Sequence, residues 1–134
     1  EIEALYFTNE KIANTMGRLR KNYLDAYYST LDLIEKRDLL KNTNVAIVRV
    51  EQLYPLNIEA IKELHNKYNK CDIYWVQEEP ENMGAWSFII RKWQFTKIIC
   101  CSRVASGSPA SGSPKVHEIR HSAVINKVMS YIKK

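Results

Sequence analysis

The stretch "VAIVRV", Val45 to Val50, most constrains what this chain can fold into. It is almost wholly apolar and rich in β-branched residues, which suits a strand buried on both faces, as in a parallel sheet. Parallel neighbours need a crossover connection, and the chain supplies one. In "NIEAIKELHNKY", Ile58, Ile61, Leu64 and Tyr68 fall at helical spacing, and Asn57 stands where an N-cap belongs. The next run, "CDIYWVQ" from Cys71 to Gln77, is a second apolar strand. Together they make a strand–helix–strand unit of about thirty residues, expected to be right-handed with parallel strands.

The alternation continues. Trp86, Ile89, Ile90 and Trp93 mark one helical stripe, and "TKIICCS", Thr96 to Ser102, reads as a third strand. "ASGSPASGSP", Ala105 to Pro114, is a loop of small residues punctuated by Gly and Pro. "KVHEIRHSAVINKVMSYIKK" closes the chain as a helix, with Val124, Ile125, Val128 and Ile132 on one stripe and Val116 and Ile119 off it. Upstream, "EIEALYF" is a candidate strand, and "NEKIANTMGRLRKNYLDAYYSTLDLIEKRDLL" is helical in composition with a break near Gly17 or Asn22. We therefore expect a helical segment with a first strand over residues 1–44, then an α/β unit over residues 45–134, in one compact domain. The fold class is α/β, a three-layer sandwich with a mostly parallel sheet and helices on both faces.

With 134 residues and 46% hydrophobic content, the chain can bury a core and does not read as disordered. The net charge is +5, but acids and bases are interspersed, so no concentrated basic face points to nucleic acid. No apolar run is long enough for a membrane span, and no signal-peptide pattern is present. Cys71, Cys100 and Cys101 make an odd count with two adjacent thiols, a poor disulfide framework that fits a reducing compartment. No metal-ligand spacing stands out and no metal centre is expected. His117 and His121 are four apart and can share a helix face, but a lone pair at that spacing reads as a polar helix surface. The start at Glu1, without Met, suggests an excised or trimmed piece.

Two stretches carry candidate sites. In "VQEEPENMGAW", Glu78 and Glu79 follow a strand at its carboxyl end, where ligands bind in open α/β sheets. Paired carboxylates there suit acid/base chemistry. They also suit a helix N-terminus, whose dipole favours each by about 0.3–1 kcal/mol. No nucleophile, base histidine or metal cluster lies close in sequence, so the structural role is expected. The acids would accept backbone N–H bonds and fix a strand-to-helix turn shared with Asn82 and Trp86. The second stretch is the small-residue loop. Arg103 and Lys115 bracket it, and Ser106 and Ser108 add hydroxyls, so it is either a phosphate cradle at a helix N-terminus or a plain crossover loop. It lacks P-loop and dinucleotide spacing.

"VAIVRVEQLYPL", "VQEEPENMGAW" and "SRVASGSPASGSPKVH" occur in order, and together they resemble the C-terminal end of the E1 component of 2-oxoglutarate dehydrogenase. The resemblance covers roughly Val45 to Lys134, and the last motif is most similar to bacterial versions. It implies a transketolase-type C-terminal domain whose core is a mostly parallel five-stranded sheet, often with one antiparallel strand. It implies an oxidoreductase subunit that decarboxylates 2-oxoglutarate with thiamine diphosphate and magnesium, both held by earlier domains. It also implies that this piece alone is inactive and holds no cofactor. The partners implied are the remaining E1 domains, a second E1 subunit and the E2 succinyltransferase, in the bacterial cytoplasm. Tyr54, Met83 and some of the tryptophans are candidates for that interface, with Trp75 assigned to the core. Some bacterial relatives bind acetyl-CoA at this domain, which makes the Arg103–Lys115 loop a candidate acyl-CoA or phosphate site, with Arg91 and Lys92 as weaker ones. The chain departs from the pattern before Val45, where "YLDAYYSTLDLIEKR" has Tyr27 and Tyr28 but no preceding Gly-Lys. The competing readings are a 2-oxoadipate dehydrogenase E1 domain and a free-standing acyl-CoA or nucleotide-binding module.

Overall fold

The computed structural model describes residues 4–9, 33–41, 44–50, 52–68, 71–108 and 111–132. In chain order the elements are strand β1 (Ala4–Asn9), helix α1 (described over 33–39), strand β2 (Val45–Val50), helix α2 (Ile58–Lys67), strand β3 (Asp72–Pro80), helix α3 (Trp86–Lys92), strand β4 (Ile99–Arg103) and helix α4 (Pro114–Ile132). The expected break near Gly17 or Asn22 lies outside the described residues.

Among the described residues the sheet has four strands in the order β2-β1-β3-β4, and every pairing is parallel. The fold is α/β. The strand–helix–strand reading holds in direction, but β2 and β3 are not neighbours. β1 lies between them, with Ala4 in register with Val45 on one side and Asp72 on the other.

Alternation along the strands divides the core in two. Val45, Tyr74, Val76 and Cys101 join Leu33 of α1 and Val124, Ile125, Val128 and Met129 of α4. Ile73 and Trp75 join Ile61 of α2 and Ala85, Ile89 and Trp93 around α3. Trp75 and Ile89 are fully buried, and each such side chain contributes about 1.5–3 kcal/mol. Asn57 caps α2 as expected, its side chain accepting from the Ala60 N–H at 3.0 Å.

Three boundaries differ from the sequence reading. β3 runs three residues past Gln77, to Pro80, so Glu78 and Glu79 lie on the strand rather than after it. β4 starts at Ile99 and ends at Arg103, later than the apolar composition of "TKIICCS" indicates. On α3, Ile90 is 47% exposed while Phe88 packs against the core, so the stripe is Trp86, Ile89 and Trp93 with Phe88 beside it.

Candidate functional site

Because the strands are parallel, β3 and β4 deliver their carboxyl ends to one edge of the sheet. There the ladder is irregular. Val76 pairs with Cys101 and Pro80 with Arg103, so β3 advances from 76 to 80 while β4 advances from 101 to 103. Pro80 has no N–H to offer a ladder, and an irregularity of this kind is where a strand tolerates proline.

Gln77 organises this edge. It is 5% exposed, the only buried polar side chain among the described residues. Its Oε1 accepts from Trp75 Nε1 at 2.9 Å and from the backbone N–H of Trp86 at 3.0 Å. Its Nε2 donates to the carbonyls of Met83 at 2.8 Å and Pro80 at 3.1 Å, with a longer contact to Glu79 O at 3.4 Å. The second acceptor bond satisfies an orphan N–H at the start of α3, where Ala85 provides no side-chain cap. Gly84 completes the turn at φ +66°, and a Cβ there would stand 3.1 Å from Glu79 Cβ and 3.2 Å from Gln77 Nε2. Gln77 thus joins the backbone bond from Met83 N to Pro80 O in holding the strand-to-helix turn, a role the sequence reading did not give it. Glu78 and Glu79 are both half-buried.

Arg103 ties the two strand ends together. Its Nε donates to Glu78 O at 2.7 Å, and its carbonyl accepts from the Glu81 N–H at 3.0 Å. Beyond it, Asn82 treats Ser106 as a second strand would. Its Nδ2 donates to Ser106 O and its Oδ1 accepts from Ser106 N, both at 3.0 Å. Ser108 N then donates to Ser106 Oγ at 3.1 Å, so the Ser106 hydroxyl serves its own turn. Further on, Ser111 Oγ accepts from Arg103 Nη1 at 3.5 Å and Arg120 Nη1 at 3.3 Å, bringing two guanidinium groups to one hydroxyl. Lys115 stands exposed in the first turn of α4. On the other side of Glu78, His121 Nδ1 lies 3.2 Å from its Oε1. The His117 and His121 rings stack at 6.2 Å between centroids.

Of the sequence candidates, Glu78 and Arg103 meet directly, and Asn82, Ser106 and Ser108 form one cluster. Trp86 is half-buried against the α3-side core. Trp75 and Trp93 are buried at 0% and 4%, so Trp86 is the tryptophan left with appreciable surface, near Met83 in the same turn. Tyr54 is 84% exposed. Gln77, Ser111 and Arg120 were not singled out by sequence. The available signal for Gln77 was an amide placed inside an apolar run just before a turn. Burial pushes the Cys101 thiol up to about 12 and raises Cys100 as well, where a bond to Ser102 opposes the shift. Both thiols are therefore protonated at neutral pH and neither is a ready nucleophile. Among the described residues no group of three or more His, Cys, Asp or Glu side chains is placed to hold a metal ion, and no helix is long and apolar enough to cross a membrane.

These features define a class: an α/β domain with a parallel sheet and a donor-rich corner at its carboxyl edge. The family model described as 2-oxoglutarate dehydrogenase C-terminal matches residues 25–129, and the chain belongs to that family, the C-terminal domain of E1 components. The match takes in Tyr27 and Tyr28, upstream of where the motif resemblance begins. The chain is 38% identical over 112 residues to a 2-oxoadipate dehydrogenase complex component E1 of Danio rerio, covering 78% of this chain and 12% of the relative. It is 33% identical over 135 residues to a multifunctional 2-oxoglutarate metabolism enzyme of Mycobacterium sp. (strain JLS), covering 96% of this chain and 10% of the relative. It is 40% identical over 98 residues to the 2-oxoglutarate dehydrogenase E1 component of Rickettsia conorii, covering 64% of this chain and 10% of the relative. The chain thus spans about a tenth of the length of the curated relatives it matches.

Proposed function

We propose that this chain serves as the assembly and regulatory C-terminal domain of an E1 subunit that oxidatively decarboxylates 2-oxoglutarate and passes the succinyl group to lipoyl-E2. The family membership carries this reading. We read the two core clusters as the contacts of a central sheet with outer helical layers, a three-layer sandwich of the transketolase C-terminal type. Thiamine diphosphate and magnesium would be held by parts of the subunit outside this chain, since it contains no "GDG…N" magnesium motif. The subunit would work as a dimer alongside E2, in the bacterial cytoplasm, with Tyr54, Met83 and Trp86 offered to a neighbouring domain or subunit.

The corner formed by Arg103, Ser111 and Arg120 supports the regulatory half of the proposal. Two planar guanidinium groups suit a phosphate oxygen pair, and the small-residue loop leads into α4, whose N-terminus favours an anion. An acyl-CoA is the ligand class. The experiment is a calorimetric titration of the full-length subunit with acetyl-CoA. Arg120→Gln and Arg103→Lys should each weaken binding at least tenfold while thiamine diphosphate binding holds. Unchanged acetyl-CoA binding in both would remove the regulatory role. For the acids, Glu78→Gln with Glu79→Gln should loosen dimer assembly. Loss of decarboxylation with assembly and cofactor binding intact would make them catalytic instead.

The identity to 2-oxoadipate dehydrogenase components favours a second reading, in which the subunit acts on 2-oxoadipate. Competing the two substrates on the full-length subunit decides between them. A free-standing acyl-CoA module requires a natural gene product close to 15.7 kDa, which intact mass measures directly.

A further inference from the structure

We infer that His117 and His121 form a two-imidazole chelating site for a divalent transition-metal ion, with Glu78 as the carboxylate that orients the His121 ring. The inference is independent of the acyl-CoA reading. The two histidines are one helical turn apart on α4, so their side chains project from one face. Their rings are nearly parallel, at 17°, with centroids 6.2 Å apart. Metal–nitrogen bonds of about 2.0–2.1 Å place two imidazoles on one ion with centroids roughly 5–6 Å apart, so the rings must turn out of their near-parallel stack until one nitrogen of each faces the ion. Glu118 lies between the two histidines in sequence, but the carboxylate that meets the His121 ring comes from β3, with Glu78 Oε1 3.2 Å from His121 Nδ1.

That contact has a chemical consequence. A carboxylate at Nδ1 selects the Nδ1–H tautomer of the neutral ring and puts the lone pair on Nε2, the nitrogen that would bind metal. Metal-bound histidines are commonly held this way, by a carboxylate on the opposite nitrogen. Imidazole donors suit borderline ions such as Zn²⁺, Ni²⁺ and Co²⁺. The chain provides two donors rather than a closed cage, so water or an anionic oxygen completes the coordination. Access is adequate: His117 is exposed, and the His121 side chain retains 21% exposure.

The test is a titration of the 134-residue chain with Co²⁺ alone, followed by visible and near-ultraviolet absorption, with far-UV circular dichroism as the check on folding. One ion should bind per chain, with d–d bands and no thiolate charge-transfer band. His117→Ala, at an exposed position, should keep the fold and lower affinity at least tenfold, and His121→Ala should do the same. Glu78→Gln should lower affinity by about 10–100-fold while the two-imidazole spectrum persists. Unchanged affinity in His117→Ala overturns the site, and so does a thiolate band, which would place the ion on Cys71 or Cys100. Unchanged affinity in Glu78→Gln overturns the role given to the carboxylate.

Discussion

At position 77 the fold needs acceptor and donor capacity on one short, uncharged side chain. Gln77 accepts from Trp75 and the Trp86 N–H while donating to the Met83 and Pro80 carbonyls. A glutamate offers acceptors only, and a methionine offers neither. Each buried group left unsatisfied costs about 1–3 kcal/mol. Gln77→Met should therefore destabilise the chain by about 2–4 kcal/mol in urea denaturation. A change below about 0.5 kcal/mol, the size of an ordinary surface effect, would show that the network is incidental. Gly84→Ala tests the same turn from the backbone side. The left-handed φ of +66° and the 3.1 Å approach to Glu79 Cβ should cost roughly 1–2 kcal/mol. A variant as stable as the parent would mean the turn relaxes easily. Little of this was legible in the sequence. A lone glutamine carries no periodic signal, and the adjacent carboxylates attract attention because charge is easier to read than hydrogen-bond geometry.

Elements were more legible than their edges. Helix α2 declared itself through both its stripe and its cap, because Asn57 and the residues it serves are local in sequence. Helix α3 was misread at Ile90, since its seven residues are too few for a stripe to average out. The structure turns that miss into a prediction. Ile89→Ala should cost about 2–5 kcal/mol, as for a fully buried aliphatic residue. Ile90→Ala should stay within about 0.5 kcal/mol. Equal losses at the two positions would mean that the face of α3 has been assigned wrongly. The partners of Asn82 and Glu78 were hidden for a different reason. Ser106 and His121 lie on later elements, and only the crossover brings them to the same corner. That same distance hid the Glu78 contact of His121.

For the whole molecule, buried acids set the response to alkali. Burial, reinforced by the Asp72 carboxylate, pushes Tyr74 from 10.0 up to about 12, and burial does the same to Cys101 from 9.0. A group whose folded pKa is raised contributes stability below its unfolded value and loses it as pH climbs toward the folded one. Stability should thus be level near neutrality and fall between pH 9 and 12, read as the urea midpoint against pH. Tyr74→Phe should flatten the upper part of that fall, and an unchanged slope would remove Tyr74 as a cause. The overall α/β class was readable because strands and helices alternate in composition. The order of the strands was not, because nothing in "EIEALYF" says which neighbours it will take. Its position has a temporal consequence. β1 is synthesised before both of its neighbours, yet its outer pairings join Ala4 to Val45 and to Asp72. On the ribosome it must wait, edges unsatisfied, until most of the domain has emerged. Such long-range closure slows folding and leaves strand edges open to other chains. A nascent chain of this design has reason to depend on a chaperone until β3 arrives.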